Sequence, residues 1–310
     1  MIFNLIEIML GLVALYFGSK YLVQGSSNVA KAFGVRQIII GLTFVAFGTS
    51  SPELAVSLLA AIQNHPDICM GNIVGSNIAN IALILGVAVM IKPNNIDLRV
   101  IKFDMPLVVF VSLILWLISL DGEITRTDGI VFVLSLGVYL VHAFRSGQEP
   151  VDEAAQSTSP SKIKNITMAL IGLLILIGGG QFLVHGATQV AKVFGVPELI
   201  VGLTIVAFGT SLPELATAIY ASTKNKESIS IGNIVGSNLF NILFVVGIVS
   251  IITPVPVDER TIYWDMPIML ILTIFTYSLM CWKPVVGRIS GTILFLFYLG
   301  YILQMFLSPF

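Results

Sequence analysis

The stretch GLTFVAFGTSSPELAVSLLAA, residues 41–61, returns as GLTIVAFGTSLPELATAIYAS at residues 202–222. Each copy carries one glutamate, Glu53 or Glu214, inside a segment that is otherwise apolar enough to lie in a membrane. Placing a charged side chain at that depth costs about 2.5 kcal/mol or more, so an acidic residue there marks a functional site. The two glutamates are therefore the first candidates for such a site.

A proline precedes each glutamate, at Pro52 and Pro213. Proline removes one backbone donor and clashes with the preceding helical turn. The Gly-Thr-Ser before it allows the helix to unwind, and carbonyl oxygens that are freed in lipid must find another partner. A cation satisfies these oxygens, and a glutamate balances its charge. The pattern predicts a broken helix in each copy and one cation site that both copies share.

The composition is that of a membrane protein. Of the 310 residues, 56% are hydrophobic and 11% are charged, whereas about 25% are charged in typical soluble domains. The mean hydropathy is +0.96. We expect an all-α integral membrane protein surrounded by a lipid bilayer. The sequence contains no nucleotide-binding, nucleophile or redox motif, so we expect no enzyme activity, no cofactor and no nucleic-acid partner. It leaves the oligomeric state open.

Apolar segments of spanning length follow one another along the chain, separated by turn sequences. Between the fifth and sixth segments lies a stretch rich in Pro, Ser and acidic residues, which is typical of a disordered linker. The sequence thus predicts ten transmembrane helices, over residues 2–23, 38–62, 69–91, 103–120, 128–144, 165–186, 198–223, 229–252, 262–281 and 289–307.

The two halves of the chain are repeats with a constant offset of 161 residues (202 − 41 = 161). Five segments separate equivalent points, and because five is odd, the second half must lie upside down relative to the first. We predict a first five-helix repeat over 1–145, a cytoplasmic linker over 146–164 and an inverted five-helix repeat over 165–310. In such transporters the substrate lies near the membrane midplane at broken helices, which here are the second and seventh.

Lysine and arginine are distributed unevenly between the two ends of the predicted helices. With the N-terminus outside, Arg126, Lys192 and Arg260 fall on the outer side, and the other 13 of the 16 basic residues fall on the inner side (16 − 3 = 13). Cytoplasmic loops carry the excess of basic residues. We therefore predict a multi-pass protein of the cell membrane with both termini outside and the linker in the cytoplasm.

A second motif, GNIVGSN, follows each glutamate segment. Ser76 and Asn80 lie four residues apart, so they share one helix face, and Ser237 and Asn241 do the same. One such pair alone would indicate a hydrogen bond between helices, but its repetition beside each break favours ion ligands. Hard cations take carboxylate, amide, hydroxyl and carbonyl oxygens. Zinc and copper favour sulfur or imidazole ligands, which do not cluster in this sequence.

With GTSSPEL and GTSLPEL each followed by GNIVGSN, the chain resembles the calcium/cation antiporter superfamily, and within it the sodium/calcium exchangers of prokaryotes. The resemblance covers the whole chain. It implies a compact core of four motif-bearing helices, across which the long first and sixth helices slide to switch access. It also implies a calcium ion held by Glu53 and Glu214 together with the carbonyl oxygens of Thr49 and Thr210.

The resemblance further implies sodium sites on two sides of the calcium. The residues that would line them are Ser50, Ser76, Asn80 and the Ala46 carbonyl on one side, and Ser211, Ser237, Asn241 and the Ala207 carbonyl on the other.

The chain departs from some family members, which have an aspartate in place of Asn80 or Asn241. In the potassium-dependent branch an aspartate at the position of Asn241 is tied to the potassium requirement, so asparagine favours a potassium-independent exchanger. Only the two glutamates then remain in the centre, and their charge matches one Ca²⁺ or two Na⁺.

We therefore expect an antiporter that exports Ca²⁺ in exchange for Na⁺ by alternating access. An empty charged site is costly to carry past an apolar barrier, which makes exchange obligatory. A proton/calcium antiporter, in which the glutamates take protons, and a cation channel remain open as alternatives.

Three other acidic residues have simpler interpretations. Glu7 lies near the outer end of the first predicted helix, where its side chain can reach the membrane surface. Asp104 and Asp265 each precede Met-Pro at the start of a predicted segment. We interpret them as helix caps, because an aspartate there accepts hydrogen bonds from free backbone amides.

Overall fold

A computed structural model describes residues 2–146, 162–194, 207–282 and 285–307, and these residues are helical apart from turns and four two-residue strands. Within these ranges eight helices are long and apolar enough to cross a membrane, and a ninth span results if one bent pair is counted together. The prediction of an all-α membrane protein is confirmed. Residues 147–161 of the predicted linker and part of the predicted segment 198–223 lie outside the described residues, whereas residue 146 ends one helix and residues 162–164 begin another.

Labels are given in chain order. The helices are α1 (Ile2–Phe33), α2 (Gln37–Thr49), α3 (Ser51–Ile62), α4 (Pro66–Ile91), α5 (Val100–Asp121), α6 (Arg126–Ser146), α7 (Lys162–Val193), α8 (Ala207–Thr210), α9 (Leu212–Thr223), α10 (Glu227–Ile252), α11 (Thr261–Trp282) and α12 (Arg288–Leu307). The strands are β1 (Asn94–Asn95), β2 (Glu123–Ile124), β3 (Val255–Pro256) and β4 (Val285–Val286).

Helices α4 and α10 form the centre of the molecule. In each of them 83% of the most apolar window is buried, against 17–39% in the other single spanning helices. Both carry the GNIVGSN motif, and in both a π-helical stretch follows, Ala79–Leu85 in α4 and Asn241–Val246 in α10. Such stretches are rare and occur often at functional sites. Asn80 and Asn241 both lie within them.

Helices α1 and α7 pack against each other along their length. Glycines make this possible, because a Cβ atom at Gly18 would lie 2.6 Å from the backbone nitrogen of Leu176, and one at Gly172 would lie 2.4 Å from that of Leu22. Small residues allow such close approach between membrane helices. Both helices continue beyond the ends of the predicted segments 2–23 and 165–186.

The segment 2–23 was predicted too short because Ser26 and Ser27 look polar in the sequence. Both serines are buried in the structure, with 0% and 3% exposure. The extra turns of α1 therefore pack against the protein and do not need apolar side chains that face lipid.

The predicted break near the first proline is present. Helices α2 and α3 meet at an angle of 41°, and Ser50 between them has non-helical angles (φ −83°, ψ 4°). Ser211 has nearly the same angles in the second copy (φ −87°, ψ 3°). The unwinding is smaller than predicted from Gly-Thr-Ser, because Thr49 still ends a regular helix and only the serine leaves it.

Two small sheets join distant parts of the chain. Strand β1 pairs with β4, and β2 pairs with β3, both antiparallel. Because β1 precedes α5 and β2 follows it, the two sheets lie at opposite ends of that helix.

The interpretation of Asp104 and Asp265 as helix caps is wrong. Asp104 ends a π-helical turn that begins at Val100 and continues directly into the rest of α5, and its side chain caps no amide. It accepts hydrogen bonds from the Tyr139 hydroxyl (3.2 Å) and from Arg99 Nε (3.3 Å). Asp265 likewise accepts a hydrogen bond from the Tyr301 hydroxyl (3.1 Å). The two tyrosines come from other helices, so the local sequence gives no sign of them.

Candidate ion-binding site

The two glutamates lie at equivalent points of the two breaks. Glu53 is in the first turn of α3 and Glu214 is in the first turn of α9, and each is 1% exposed. The prolines Pro52 and Pro213 occupy the first helical turns as well, where the missing N–H is not needed. A carboxylate there is stabilised by the positive end of the helix dipole. The breaks thus create two places where a buried negative charge is tolerated.

The serine at each break contacts the glutamate of the other half. Ser50 Oγ lies 3.4 Å from Glu214 Oε1, and Ser211 Oγ lies 3.4 Å from Glu53 Oε1. The two breaks therefore face each other, and the carboxylates and hydroxyls form one cluster between α2–α3 and α8–α9.

Helices α4 and α10 add one serine each to this cluster. Ser237 Oγ lies 3.4 Å from Glu214 Oε1, and Ser76 Oγ accepts a hydrogen bond from Ser211 (3.4 Å). The grouping implied by the family resemblance placed Ser50 with Ser76 and Ser211 with Ser237. The observed hydroxyl contacts differ, since Ser76 contacts Ser211, and Ser50 and Ser237 share Glu214. The reason is that each break reaches across the interface to the opposite carboxylate.

The hydroxyls of Thr49 and Thr210 donate hydrogen bonds to other side chains of the protein. Thr49 Oγ1 donates to Asn233 Oδ1 (3.0 Å), and Thr210 Oγ1 donates to Asn72 Oδ1 (3.2 Å). Asn72 Nδ2 in turn donates to Ser57 Oγ (2.9 Å) and to the Glu53 carbonyl (3.2 Å). We did not predict the two asparagines as site residues, although both stand second in GNIVGSN at matching positions. They fix the threonines, whose carbonyl oxygens the resemblance assigns to calcium.

The structure describes the surroundings of only one of the two predicted alanine carbonyls. The Ala46 carbonyl accepts hydrogen bonds from the Ser50 amide (2.9 Å) and from Thr49 Oγ1 (3.4 Å). An ion at this oxygen would therefore share it with these donors. Ala207 begins the short helix α8, at the edge of the described residues.

Several buried oxygens have no hydrogen-bond partner within the described residues. They are Glu53 Oε2 and Glu214 Oε2 in the cluster, and Asn80 Oδ1 and Asn241 Oδ1, which lie four residues beyond Ser76 and Ser237. Burying a carboxylate oxygen without a partner is strongly unfavourable, and carboxylate and amide oxygens are the ligands that hard cations prefer. The cluster can therefore hold a cation such as Ca²⁺ or Na⁺ by its own oxygens.

A cavity of about 370 Å³ leads away from this cluster. At its inner end it is lined by Ser76 and Ser211, and at its outer end by Asp265 and Tyr301. A second cavity, of about 620 Å³, also contacts Asp265 and Tyr301 and extends to Glu259. The two cavities therefore share Asp265 and Tyr301 in their linings, and together they extend from the serines of the cluster to Glu259, near the start of α11.

Asp104 in the first half, which is equivalent to Asp265, is more tightly packed. Arg99 Nε lies 3.3 Å from Asp104, whose side chain has 0% exposure. In the second half Arg260 Nε lies 4.0 Å from Asp265, whose side chain has 16% exposure. The two halves therefore have the same Arg–Asp pair, but in the first half the pair is closer and its aspartate is less exposed.

Comparisons with known proteins identify the family of this chain. The family model described as "Sodium/calcium exchanger protein" matches residues 3–145 and 164–307. Inner membrane protein YrbG of Escherichia coli is 34% identical over 299 residues, which cover 93% of this chain and 92% of that protein. The sodium/calcium exchanger MaX1 of Methanosarcina acetivorans is 29% identical over 98% of both chains.

Among solved structures, the sodium-calcium exchanger NCX_Mj soaked with Na⁺ and without Ca²⁺ superimposes with a TM-score of 0.89. The two sequences are 30% identical, and the match covers 98% of this chain and 99% of that one. The chain therefore belongs to the sodium/calcium exchanger family, the multi-pass membrane antiporters of the prokaryotic branch of the calcium/cation antiporter superfamily.

Proposed function

We propose that this chain is a secondary-active sodium/calcium antiporter that exports Ca²⁺ in exchange for Na⁺ without a potassium requirement. The observation that supports this most strongly is the pair of fully buried glutamates. Each has one carboxylate oxygen unpaired among the described residues and the other in contact with serine hydroxyls. Two carboxylates carry a charge of −2, which one Ca²⁺ or two Na⁺ neutralise. The names of MaX1 and NCX_Mj, both sodium-calcium exchangers, support the choice of ions.

The proposed ligands follow from this cluster. Glu53 and Glu214 bind calcium together with the carbonyls of Thr49 and Thr210. Sodium ions bind beside it at the remaining oxygens. These are contributed by Ser50, Ser76, Asn80 and Ala46, and by Ser211, Ser237, Asn241 and Ala207. Because the ions compete for the same two carboxylates, the loaded site is neutral and can pass the apolar barrier, whereas the empty one cannot. The protein performs transport and no chemical conversion.

The proposed architecture is ten transmembrane helices in two inverted five-helix repeats, 1–145 and 165–310, joined by a linker over 146–164. The small sheets support it. Strands β1 and β3 are equivalent by the repeat offset (94 + 161 = 255), yet they lie in different sheets at opposite ends of α5. Equivalent strands at opposite ends are what an inverted repeat requires.

We place both termini outside the cell membrane and the linker in the cytoplasm. Contacts between loops agree with the distribution of lysine and arginine: Lys92 contacts Asn225 and Glu227, and Arg36 pairs with Asp97. The positive-inside rule assigns the end that these loops share to the cytoplasm.

Thiol labelling tests this orientation. Cysteine is placed at Glu123 or at Arg145, both exposed, after Cys69 and Cys281 have been replaced by alanine. A membrane-impermeant maleimide should label Glu123→Cys in intact cells and Arg145→Cys only in inside-out vesicles. Labelling of both positions from the same side would refute the orientation.

Alternating access is supported by the difference between the two halves. In this orientation the cavities lined by Asp265 face outward, and the fully buried Asp104 lies towards the cytoplasm. An antiporter needs one route open and the other closed at any moment, since a route open at both ends would be a channel.

Ion coupling is tested by ⁴⁵Ca²⁺ uptake into proteoliposomes loaded with Na⁺, with K⁺, with choline, or with acidic sodium-free buffer. We expect uptake only from the Na⁺-loaded vesicles, with no increase when K⁺ is added. Uptake driven by a pH gradient without Na⁺ would favour a proton/calcium antiporter. Uptake that is independent of the internal ion would indicate a channel.

Asn241 provides a further test of the coupling. Its side chain is 1% exposed and lies one helical turn beyond Ser237, which contacts Glu214. The variant Asn241→Asp adds a third buried negative charge that a proton or another cation must balance, because like charges at close range disfavour ionisation. We expect its calcium flux to depend more steeply on Na⁺ and to fall more under acid than that of the wild type. Asn238→Asp serves as a control, since Asn238 bonds the Ile234 carbonyl of its own helix. Identical pH and Na⁺ profiles in the wild type and Asn241→Asp would contradict this role.

A further inference from the structure

A separate cavity of about 440 Å³ lies between α1 and α9, away from the ion cluster. Its lining is basic and aromatic, and the residues that matter here are Tyr16, Lys20, Gln24, Tyr220, Lys224 and Lys226. Side-chain contacts connect α1 and α9 along one side of the cavity. The rings of Tyr16 and Tyr220 meet edge to face at 5.8 Å, and Gln24 Nε2 donates to the Tyr220 hydroxyl (3.4 Å).

The three lysines of this cavity have no carboxylate partner. Among the described residues no acidic side chain lies within ion-pair distance of Lys20, Lys224 or Lys226, and neighbouring Glu227 pairs with Lys92 instead. Burial, and after it the charge of Lys31, lowers the pKa of Lys226. The adjacent Glu227 partly offsets this effect on Lys226. Because Glu227 also pairs with Lys92, the three lysines leave the cavity with an excess of positive charge, which attracts an anion.

The lysine cavity is not explained by cation transport. Its charge repels Ca²⁺ and Na⁺, so it does not suit a route for them. It also breaks the repeat. The positions equivalent to Lys20, Lys224 and Lys226 are Gln181, Gln63 and His65. The residues of the ion cluster, by contrast, occur in both halves. These lysines therefore belong only to the end of the molecule where basic residues are in excess.

We propose that the lysine cavity binds a phosphate-bearing anion, and that its source is the headgroup of an anionic phospholipid. Lysine ammonium groups bind phosphate as point charges, and basic pockets between membrane helices at the cytoplasmic face suit lipid headgroups. On the same face of α1, Tyr16 and Phe17 are exposed by 53% and 41%, so acyl chains can lie beside them while the phosphate reaches the lysines.

The lysines come from two separate elements, which gives the bound lipid a structural effect. Lys20 belongs to α1, whereas Lys224 and Lys226 belong to the turn between α9 and α10. One phosphate that contacts all three connects α1 to this turn. Binding should therefore raise the melting temperature of the purified protein. The proposal does not depend on which ion drives calcium transport.

The experiment uses the full chain in detergent micelles. Dioleoyl phosphatidylglycerol, dioleoyl phosphatidylcholine or inorganic phosphate is titrated while the melting temperature is followed, and retained lipid is counted by native mass spectrometry. The test variant is the triple Lys20→Gln, Lys224→Gln, Lys226→Gln. The matched control removes three exposed basic residues elsewhere, in Lys102→Gln, Arg145→Gln, Lys164→Gln. A third variant replaces the three cavity lysines by arginine, so that folding and charge are kept.

We expect phosphatidylglycerol to raise the melting temperature of the wild type, the control and the arginine variant, with one lipid retained, and to have no such effect on the glutamine triple variant. Phosphatidylcholine should have a weak effect on all. If inorganic phosphate alone gives the full effect in the wild type, the phosphate site stands and the lipid source is wrong. An equal effect of phosphatidylglycerol on the wild type and the glutamine triple variant, or loss of the effect in the arginine variant, would overturn the proposal.

Discussion

Replacing either Glu53 or Glu214 by glutamine should reduce sodium-driven calcium flux to the background of protein-free vesicles. Each substitution removes half of the central charge but keeps the shape of the side chain. With a charge of −1 the site cannot neutralise one Ca²⁺, and a charged complex does not cross the apolar barrier. Folding should survive, because an unpaired buried carboxylate becomes a neutral amide that is easier to bury.

The matched control is Glu7→Gln, the same substitution outside the cluster. Glu7 contacts His185 Nδ1 at 2.9 Å, and its side chain has 29% exposure. This variant should transport calcium at close to the wild-type rate. Near-normal flux in Glu53→Gln or Glu214→Gln, at equal amounts of folded protein in the vesicles, would show that the two carboxylates do not form one site.

Replacing Asn72 by leucine should both destabilise the protein and remove most of its calcium flux. The amide of Asn72 satisfies Thr210 Oγ1, Ser57 Oγ and the Glu53 carbonyl at once. Losing three polar contacts inside a membrane protein, at about 0.6 kcal/mol each, costs about 2 kcal/mol. The melting temperature should fall for that reason. The flux should fall further than stability alone explains, because Thr210 and the first turn of α3 lose their support.

Asn77→Leu is the control for this substitution. Asn77 is also buried in α4, but among the described residues its side chain bonds only to the Ile73 carbonyl of the same helix. Flux is measured below the melting temperature of every variant, so that unfolding does not contribute. If Asn72→Leu and Asn77→Leu lose flux to the same extent, the asparagine does not position the site.

The candidate site was predictable from the sequence to the extent that it repeats. Glu53 and Glu214 stand out because a carboxylate between apolar residues is rare, and the repeat offset indicates that both belong to one site. The serines of GNIVGSN were identified in the same way, whereas the serines of GTS, Ser50 and Ser211, were implied by the family resemblance. Their hydrogen-bond contacts were not predicted, since Ser211 reaches Glu53 only because the two halves pack break against break. No local pattern encodes that packing.

The fold was predictable to a similar degree. Apolar segments indicate where membrane helices lie, and the breaks at Ser50 and Ser211 follow from proline chemistry. The bonding of Asp104 and Asp265 was missed because their tyrosine partners come from α6 and α12, 35 and 36 residues further along the chain. We predicted α1 too short because we took the polar Ser26 and Ser27 as lying beyond its end. In the structure both serines are buried, so the helix continues past them.

Equilibrium binding of ⁴⁵Ca²⁺ to the purified protein at increasing Na⁺ tests the shared site most directly. We expect one calcium per chain in the absence of Na⁺. Added Na⁺ should displace it completely, and the apparent Kd for calcium should rise with Na⁺ without a plateau, because both ions use Glu53 and Glu214. Glu53→Gln should abolish the binding. An apparent Kd that does not change with Na⁺, or calcium that stays bound at saturating Na⁺, would contradict a single site at which the two ions exchange.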